Sequence, residues 1–153
     1  MQKNINIQNK KARFEYEILD KFVAGIQLTG TEIKSIRNSQ ARITESFCEF
    51  NDRGELFIVN MYIQEYMFGH HFNHKPKSER RLLLNKRELR SLKKDVEAKG
   101  NTIVPLRLFI NDRGFAKLEI ALAKGKQTHD KRNALKDRDN KRDLARIKKS
   151  FNA

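Results

Sequence analysis

The chain is 153 residues long, and its 33 Lys and Arg against 19 Asp and Glu give a formal net charge of +14 at pH 7. That length fits one domain of ordinary size plus an additional segment. That positive charge indicates a nucleic acid or an anionic membrane surface as the binding partner. No apolar run approaches the roughly 20 residues that span a bilayer, and the first residues lack the apolar stretch of a signal peptide, so we expect a cytoplasmic protein.

The first elements are predicted from periodicity and capping signals. Apolar and charged residues alternate over residues 13–18 with the period of two of a half-buried strand, and residues 22–28 are apolar enough to continue as strand. The next segment places Thr29 at an N-cap and Glu32 at the third helical position, which is the pattern of a capping box. A short helix that ends near Asn38 is therefore predicted.

Two β-hairpins are predicted, because the turn Asn-Asp-Arg-Gly stands twice between apolar runs, at residues 51–54 and 111–114. Both are expected to have four-residue loops. In the first hairpin the region of residues 47–50 would pair with residues 56–63. In the second we expect one core face made by Val104, Leu106, Leu108 and Ile110 and, across the turn, by Ala116, Leu118, Ile120 and Leu122.

Between the hairpins, residues 82–84 form a short apolar run that predicts a strand. After it, Asn85 can cap a helix whose third position is Glu88 and whose end is marked by Gly100. The predicted buried stripe of this helix consists of Leu89, Leu92 and Val96.

About six short antiparallel strands with two capped helices predict a mainly β fold, namely a small closed antiparallel barrel of the OB type with two to three short helices. We assign residues 1–123 to this barrel and residues 124–153 to a C-terminal tail. The tail holds eleven Lys and Arg against four Asp, and so a net charge of +7, with almost no apolar stripe. Such a segment is expected to be disordered or helical and to bind a partner.

Basic residues recur in four clusters along the chain. The clusters are Asn9, Lys10, Lys11 and Arg13; Lys34 and Arg37; Arg80 and Arg81; and Lys124, Gly125 and Lys126. Any one cluster is more often a solvated face than a binding site. Four clusters together with a strongly basic tail favour RNA or DNA as the partner.

Other side chains give weaker signals. His70, His71 and His74 stand close together, but no third metal ligand is available, so a solvated loop that could face phosphate is favoured and no metal or cofactor is predicted. Cys48 is the only cysteine and has apolar neighbours, which indicates a buried, inert thiol. Nucleophile motifs, phosphate loops and carboxylate spacings for Mg²⁺ are absent, so an enzyme is the weaker class.

Read in order, several segments resemble one bacterial family. They are Asn9-Lys-Lys-Ala-Arg13, Ala24-Gly25 followed by Thr29-Gly-Thr-Glu-Ile-Lys-Ser-Ile-Arg37, Arg80-Arg-Leu-Leu-Leu84, Ala123-Lys-Gly-Lys126 and His129-Asp-Lys-Arg132. Their order and spacing resemble the tmRNA-binding family called small protein B. Each segment alone is a modest signal, whereas the whole series is specific.

The resemblance implies an OB-like barrel that binds the tRNA-like part of tmRNA and accompanies it into ribosomes stalled on broken messages, without catalysis of its own. Carried over from the family, the RNA-binding surface includes Asn9, Lys10, Arg13, Lys34 and Leu83. Many relatives have an acidic residue just before the Ala-Gly pair, where this chain has Val23. That difference could alter the RNA footprint.

The resemblance further implies that the tail folds as a helix in the empty message channel of the small subunit, in place of codon and anticodon. The matching residues are Lys124, Gly125, Lys126, His129, Asp130, Lys131 and Arg132. His129 is expected to stack on a base of the decoding centre. The expected partners are tmRNA, the decoding centre of the small subunit and its ribosomal RNA, and the protein is expected to be a monomer.

Two alternatives stay open. A ribosomal or cold-shock-like module would bind short single strands through aromatic stacking, with little dependence on sequence. A small metal-dependent nuclease would degrade RNA when Mg²⁺ is added. Comparing the affinity for a tRNA-like RNA with that for unstructured RNA of equal length separates the first alternative from the favoured function.

Overall fold

The computed structural model describes residues 5–69, 72–98 and 100–125. In chain order the elements are β1 (Asn6–Gln8), α1 (Lys10–Glu15), β2 (Tyr16–Ile26), α2 (Gly30–Arg37), β3 (Ala41–Arg42), β4 (Phe47–Phe50), β5 (Leu56–Val59), β6 (Tyr62–Ile63), β7 (Arg80–Leu83), α3 (Lys86–Val96), β8 (Asn101–Ile110) and β9 (Ala116–Gly125).

Strands β8, β4, β5, β7, β2 and β9 follow one another around a barrel, and β9 pairs back with β8 to close it. Every pairing in this ring is antiparallel. Strand β1 joins the ring at β8, while β3 and β6 form a separate two-stranded sheet. The predicted mainly β fold with a closed antiparallel barrel and a few short helices is confirmed.

The first helix is not predicted by the sequence pattern, which places residues 13–15 in a strand. These residues belong to α1, and the strand begins at Tyr16. The cause is Asn9, whose side chain caps the helix and accepts a hydrogen bond from the backbone N of Ala12. The cap favours a helix over the strand that the alternating pattern indicates, because the first backbone amides of a helix have no partner within the helix and the Asn9 side chain supplies one.

Both predicted capping boxes are present. Thr29 and Glu32 exchange hydrogen bonds at the start of α2, and Asn85 and Glu88 do so at the start of α3. In α3 the predicted stripe faces inward, since Leu92 is buried and Leu89 and Val96 pack against the core.

The two hairpins exist, but their turns are not the predicted four-residue loops: residues 51–55 and 111–115 separate the strands, and a closing hydrogen bond shortens each turn within them. A backbone hydrogen bond joins Asn51 to Glu55 and another joins Asn111 to Phe115, so three residues lie inside each closing pair. The reason is that Gly54 and Gly114 take positive φ angles of 78° and 86° and end each turn early. The first hairpin also ends at Val59, because β6 pairs with β3 instead.

The second hairpin does not present one face throughout. Pairing shifts between Pro105 and Arg107, which leaves Leu106 as a bulge. A bulge inserts one residue and reverses the side to which later residues point. Leu108 and Ile110 therefore pack with the barrel core, whereas Val104 and Leu106 lie in a second cluster with Ala12, Ala121 and Ala123.

The barrel interior is the main core and the second cluster lies beneath α1. Fully buried Ile36, Ile58, Leu118 and Ile120 represent the interior. Cys48 belongs to this main core, and burial raises the pKa of its thiol far above the usual range. Since the reactive form of a cysteine is the thiolate, this agrees with the predicted buried, inert thiol. Within the described ranges, no helix is both long enough and apolar enough to cross a membrane.

Candidate nucleic-acid interface

Helix α1 lies on the outside of the barrel and is held there by Asn9. The Asn9 side chain is buried, its Oδ1 accepts from the backbone N of Ala12 at 3.2 Å, and its Nδ2 donates to the carbonyl of Pro105 at 3.0 Å. Its backbone N donates to the carbonyl of Leu106 at 2.8 Å. Asn9 therefore positions the helix and has little exposed surface, and its direct contact with RNA stays a prediction.

The cations of α1 differ in their surroundings. Lys11 Nζ lies 2.5 Å from Glu45 Oε1 and 3.7 Å from Glu15 Oε1. The hydrogen bond with Glu45 raises the pKa of Lys11 and lowers that of Glu45. Lys10 and Arg13 are exposed and have no carboxylate partner in the part of the chain that the structure describes. They are the two α1 cations left free for a phosphate.

Beside α1, the barrel presents a surface that we call the outer face, formed by Lys21, Val23 and Gly25 of β2, Leu83 of β7, Arg107 of β8, and Lys117 and Glu119 of β9. Val23 lies opposite Glu119, while Gly25 lies opposite both Lys117 and Leu83. Opposite residues of antiparallel strands point to the same side, and the alternating neighbours Ala24 and Leu118 are fully buried. The structure thus brings the predicted Leu83 and the unusual Val23, each about half exposed, onto one surface.

Two features of the outer face suit an RNA backbone. Lys21 and Lys117 have no ion pair among the described residues, so their charges are not neutralised. Arg107 is held in place, because its guanidinium stacks 4.1 Å from the ring centroid of Phe109 and its Nε lies 3.5 Å from Glu119 Oε2. At Gly25 an added Cβ would lie 3.4 Å from the Leu83 Cβ, so a larger residue at this position would crowd Leu83.

Arg81 also points outward, next to Leu83 on β7. Its Nη1 lies 3.1 Å from Glu55 Oε2, and both side chains remain partly exposed. The pKa of Glu55 is lowered, first by the hydrogen bond from Asn51 and then by the charges of Arg81 and Arg53. Arg81 can therefore contact RNA only in competition with Glu55.

Arg80, which is predicted to bind RNA, is not exposed in this structure, and an RNA contact by it stays a prediction. It is buried, its Nε donates to Glu32 Oε2 at 2.5 Å, and its other nitrogens donate to the carbonyls of Met61, Lys75 and Pro76 at 2.6 to 3.2 Å. A neighbouring pair of arginines looks equivalent in sequence, but strand alternation sends one inside and one outside. Arg80 ties α2 and the segment before β7 to the barrel.

His74 is also internal, which corrects its assignment to a solvated or metal-binding loop. Its Nδ1 lies 2.9 Å from Thr31 Oγ1 and its Nε2 lies 2.9 Å from the carbonyl of Ile63. A carbonyl only accepts, so Nε2 donates to it, and in the neutral imidazole Nδ1 then accepts from the threonine hydroxyl. Both nitrogens are thereby occupied. His70 and His71 lie outside the described residues.

Helix α2 carries the predicted Lys34 and Arg37, both exposed. Lys34 Nζ lies 5.4 Å from the ring centroid of Tyr66, which gives it a cation–π contact. Helix α2 packs against β6, and its buried Glu32 pairs with Arg80 of β7. Lys34 and Arg37 lie on the exposed side of the helix, and that they form one RNA-binding surface with α1 remains a prediction.

The predicted tail begins later than expected. Lys124 and Gly125 are the last residues of β9 and pair with Glu17 and Tyr16 of β2, so strand pairing extends two residues beyond the predicted boundary. Lys126, His129, Asp130, Lys131 and Arg132 lie outside the described residues.

Lys21, Arg107 and Lys117 are functional candidates that the sequence pattern does not predict. None of them has another basic residue beside it in the sequence, so they do not form a visible basic cluster. The alternation around Ala24, Leu108 and Leu118 is the signal that could have marked them as outward-facing. Among the described residues, no three His, Cys, Asp or Glu side chains are placed to hold a metal ion.

Comparison with known proteins gives consistent matches. The family model described as SmpB protein matches residues 6–150. The SsrA-binding protein of Flavobacterium psychrophilum is 67% identical over 151 residues, which cover 99% of this chain and 100% of the relative. The SsrA-binding protein of Flavobacterium johnsoniae is 64% identical over 152 residues, covering 99% and 100%.

A solved structure described as "tmRNA-SmpB: a journey to the center of the bacterial ribosome" contains a similar chain. That chain is 44% identical, aligns with a TM-score of 0.68, and the match covers 94% of this chain and 96% of the other.

Proposed function

The chain belongs to the SmpB protein family, and from that membership we propose that it is an RNA-binding ribosome-rescue factor of trans-translation. It binds the tRNA-like domain of tmRNA and delivers it to stalled ribosomes. The observation that carries this conclusion is the similarity over nearly the whole chain to SsrA-binding proteins and to a chain of the tmRNA-SmpB structure. The protein acts in the cytoplasm as a monomer, by binding, while the chemistry stays with the ribosome.

We place the RNA against α1 and the outer face. This position is supported by the cations Lys10, Arg13, Lys21 and Lys117, which make no ion pair among the described residues and flank a partly apolar surface at Val23, Gly25 and Leu83. Phosphate contacts by such unpaired cations supply affinity for RNA. Lys34 and Arg37 of α2 are candidates for a further contact to the same RNA.

The tail has a separate role in this proposal. Residues 126–153 enter the decoding centre and the empty message channel, where they take the place of codon and anticodon. The support is their composition, because a segment this basic cannot bury a core of its own and gains most by binding where many phosphates surround it.

The test of the barrel surface is the double variant Lys10→Ala, Arg13→Ala. Its affinity for the tRNA-like domain should fall, and the log-log slope of affinity against salt should flatten by roughly one to two. The matched control is Arg87→Ala, Lys94→Ala, which removes the same charge from exposed positions of α3. An unchanged slope in the α1 variant would remove α1 from the interface.

The division of labour is tested by deleting residues 127–153. The shortened chain should still bind the tRNA-like domain but should not support tagging of peptides on stalled ribosomes. Loss of both activities would contradict the separation of barrel and tail. Equal affinity for unstructured RNA at the same salt would favour the single-strand module, and Mg²⁺-dependent loss of labelled RNA would favour a nuclease.

A further inference from the structure

A second basic surface lies between the turn of the β4–β5 hairpin and α3. It is a depression of about 310 Å³ lined by Arg53, Gly54, Lys86, Leu89, Arg90 and Lys93. Lys86, Arg90 and Lys93 recur at helical spacings of four and three residues, so they share one side of α3. The turn comes close to this side, since a Cβ on Gly54 would lie 3.9 Å from Lys93 Nζ.

Within the described ranges, none of the four cationic side chains of this depression makes an ion pair or a hydrogen bond. Arg53 alone has an electrostatic interaction with a carboxylate, that of Glu55. Two nearby carboxylates are engaged elsewhere, because Glu88 closes the capping box of α3 and Glu55 pairs with Arg81. The lining contains no acidic residue. The depression therefore concentrates positive charge, and the charges of Lys86, Arg90 and Lys93 are not neutralised by any ion pair among the described residues.

This arrangement does not help the free protein. Lys86 occupies the first position of α3, where the helix dipole already favours a negative charge. Lys86 and Arg90 are like charges one turn apart, and such pairs destabilise a helix. A bound anion would relieve both effects. The charge pattern thus points to an anionic partner and not to a role in holding the fold.

We infer that Arg53, Lys86, Arg90 and Lys93 form a second RNA-binding surface, which contacts the phosphates of an RNA duplex independently of the outer face. From Lys86 to Lys93 the helix rises about 10 Å, a length over which a nucleic-acid duplex carries about six phosphate charges. The floor of the depression is Leu89 and its lining has no aromatic ring, so unpaired bases would find nothing to stack on. The backbone of a duplex fits these features better than a single strand.

The inference goes beyond the proposed function, because it requires no tRNA-like RNA. The test uses the full chain and a blunt RNA duplex of about 20 base pairs. The variant Arg90→Ala, Lys93→Ala should bind this duplex at least about tenfold more weakly at 0.1 M salt, and its log-log salt slope should fall by about 1.8. The matched control Arg87→Ala, Lys94→Ala removes the same charge from the same helix but outside the depression, and should lose less than about threefold.

Independence is tested by saturating the protein with the tRNA-like domain of tmRNA before the duplex is added. The duplex should still bind with unchanged affinity, and the Arg90→Ala, Lys93→Ala variant should keep wild-type affinity for the tRNA-like domain. The affinity of this variant for the tRNA-like domain tests the proposed function separately from the inference. Competition between the two RNAs, or absence of duplex binding by the wild-type chain, would overturn the inference.

Two further readouts distinguish a duplex-binding surface from a structural role and from a site for an acidic protein. The melting temperature of the Arg90→Ala, Lys93→Ala variant should equal or exceed that of the wild type, because like-charge repulsion is removed and Ala favours a helix. A clear drop would show that these side chains support the fold, and would contradict the inference. If polyglutamate displaced the duplex at equal charge concentration, the surface would suit an acidic protein, which would contradict the inference. If both double variants lost the same affinity for the duplex, the effect would be one of net charge and not of this surface.

Discussion

Replacing Glu32 by Gln should destabilise the barrel strongly, because it leaves the Arg80 guanidinium buried without its counter-charge. The side chains of the pair are only 2% and 5% exposed, and the ion-pair distance is 2.5 Å. Gln can still accept the hydrogen bond that the backbone N of Thr29 donates to Glu32 Oε1 at 2.9 Å. The capping box therefore survives, and the change isolates the lost charge.

Breaking a buried ion pair from one side costs about 3–5 kcal/mol in the free energy of unfolding. The matched control is Glu55→Gln, since Glu55 pairs with Arg81 at side-chain exposures of 26% and 43%. Partly exposed pairs contribute about 0–1 kcal/mol. The same substitution in the same barrel should thus have two very different effects.

Urea unfolding followed by circular dichroism measures both variants. With an m-value of about 2 kcal/mol per M, the midpoint of Glu32→Gln should fall by roughly 2 M, whereas that of Glu55→Gln should move by less than about 0.5 M. Under native conditions Glu32→Gln should keep the wild-type salt slope of RNA binding, because the Arg80 guanidinium is buried and hydrogen-bonded within the protein. Equal small shifts in the two midpoints would refute the assignment of Arg80 as a buried anchor, and a flattened salt slope would return it to the RNA interface.

Three other perturbations test single contacts. Asn9→Ala should lower the stability by about 1–3 kcal/mol in urea unfolding, since α1 loses its cap and the Pro105 carbonyl loses a buried donor; no loss would mean that α1 is held by its apolar contacts alone. Cys48 should react with a thiol reagent at pH 8 only after denaturation, because burial raises the pKa of its thiol, and rapid reaction of the native protein would contradict its placement in the core. In Lys11→Met the pKa of Glu45, read by NMR titration, should rise toward its usual value of 4.5, because the lysine is what lowers it. The folded pKa of Glu45 is depressed, so the stabilisation by this pair should be present above pH 4.5 and vanish as the pH falls through the lower folded value; a stability difference between wild type and Lys11→Met that persists at lower pH would argue against the ion pair.

The sequence predicts those features that depend on short-range interactions. The capping boxes at Thr29 and Asn85 depend on residues three positions apart, and the hairpin turns depend on a Gly that accepts positive φ. The order of the family segments likewise indicates an RNA-binding barrel from the primary structure alone.

Other features depend on which distant groups meet. Residues 13–15 alternate as a strand would, yet they belong to α1. The reason is that Asn9 caps this helix while it donates hydrogen bonds to the carbonyls of Pro105 and Leu106 in β8. The bulge at Leu106 changes the side to which the residues after it in β8 point. The local sequence pattern does not predict this bulge.

The candidate site shows the same division. The sequence by itself determined that the chain is basic, that its clusters are suited to phosphate, and that Lys10 and Arg13 belong to one short segment. Only the tertiary structure decided that Arg80 is internal while Arg81 is exposed, that His74 is enclosed between Thr31 and Ile63, and that Lys21 and Lys117 complete a face with Leu83. Charge is a property of each residue alone, whereas exposure to a partner depends on strand register, which is set by pairing between segments far apart in the chain.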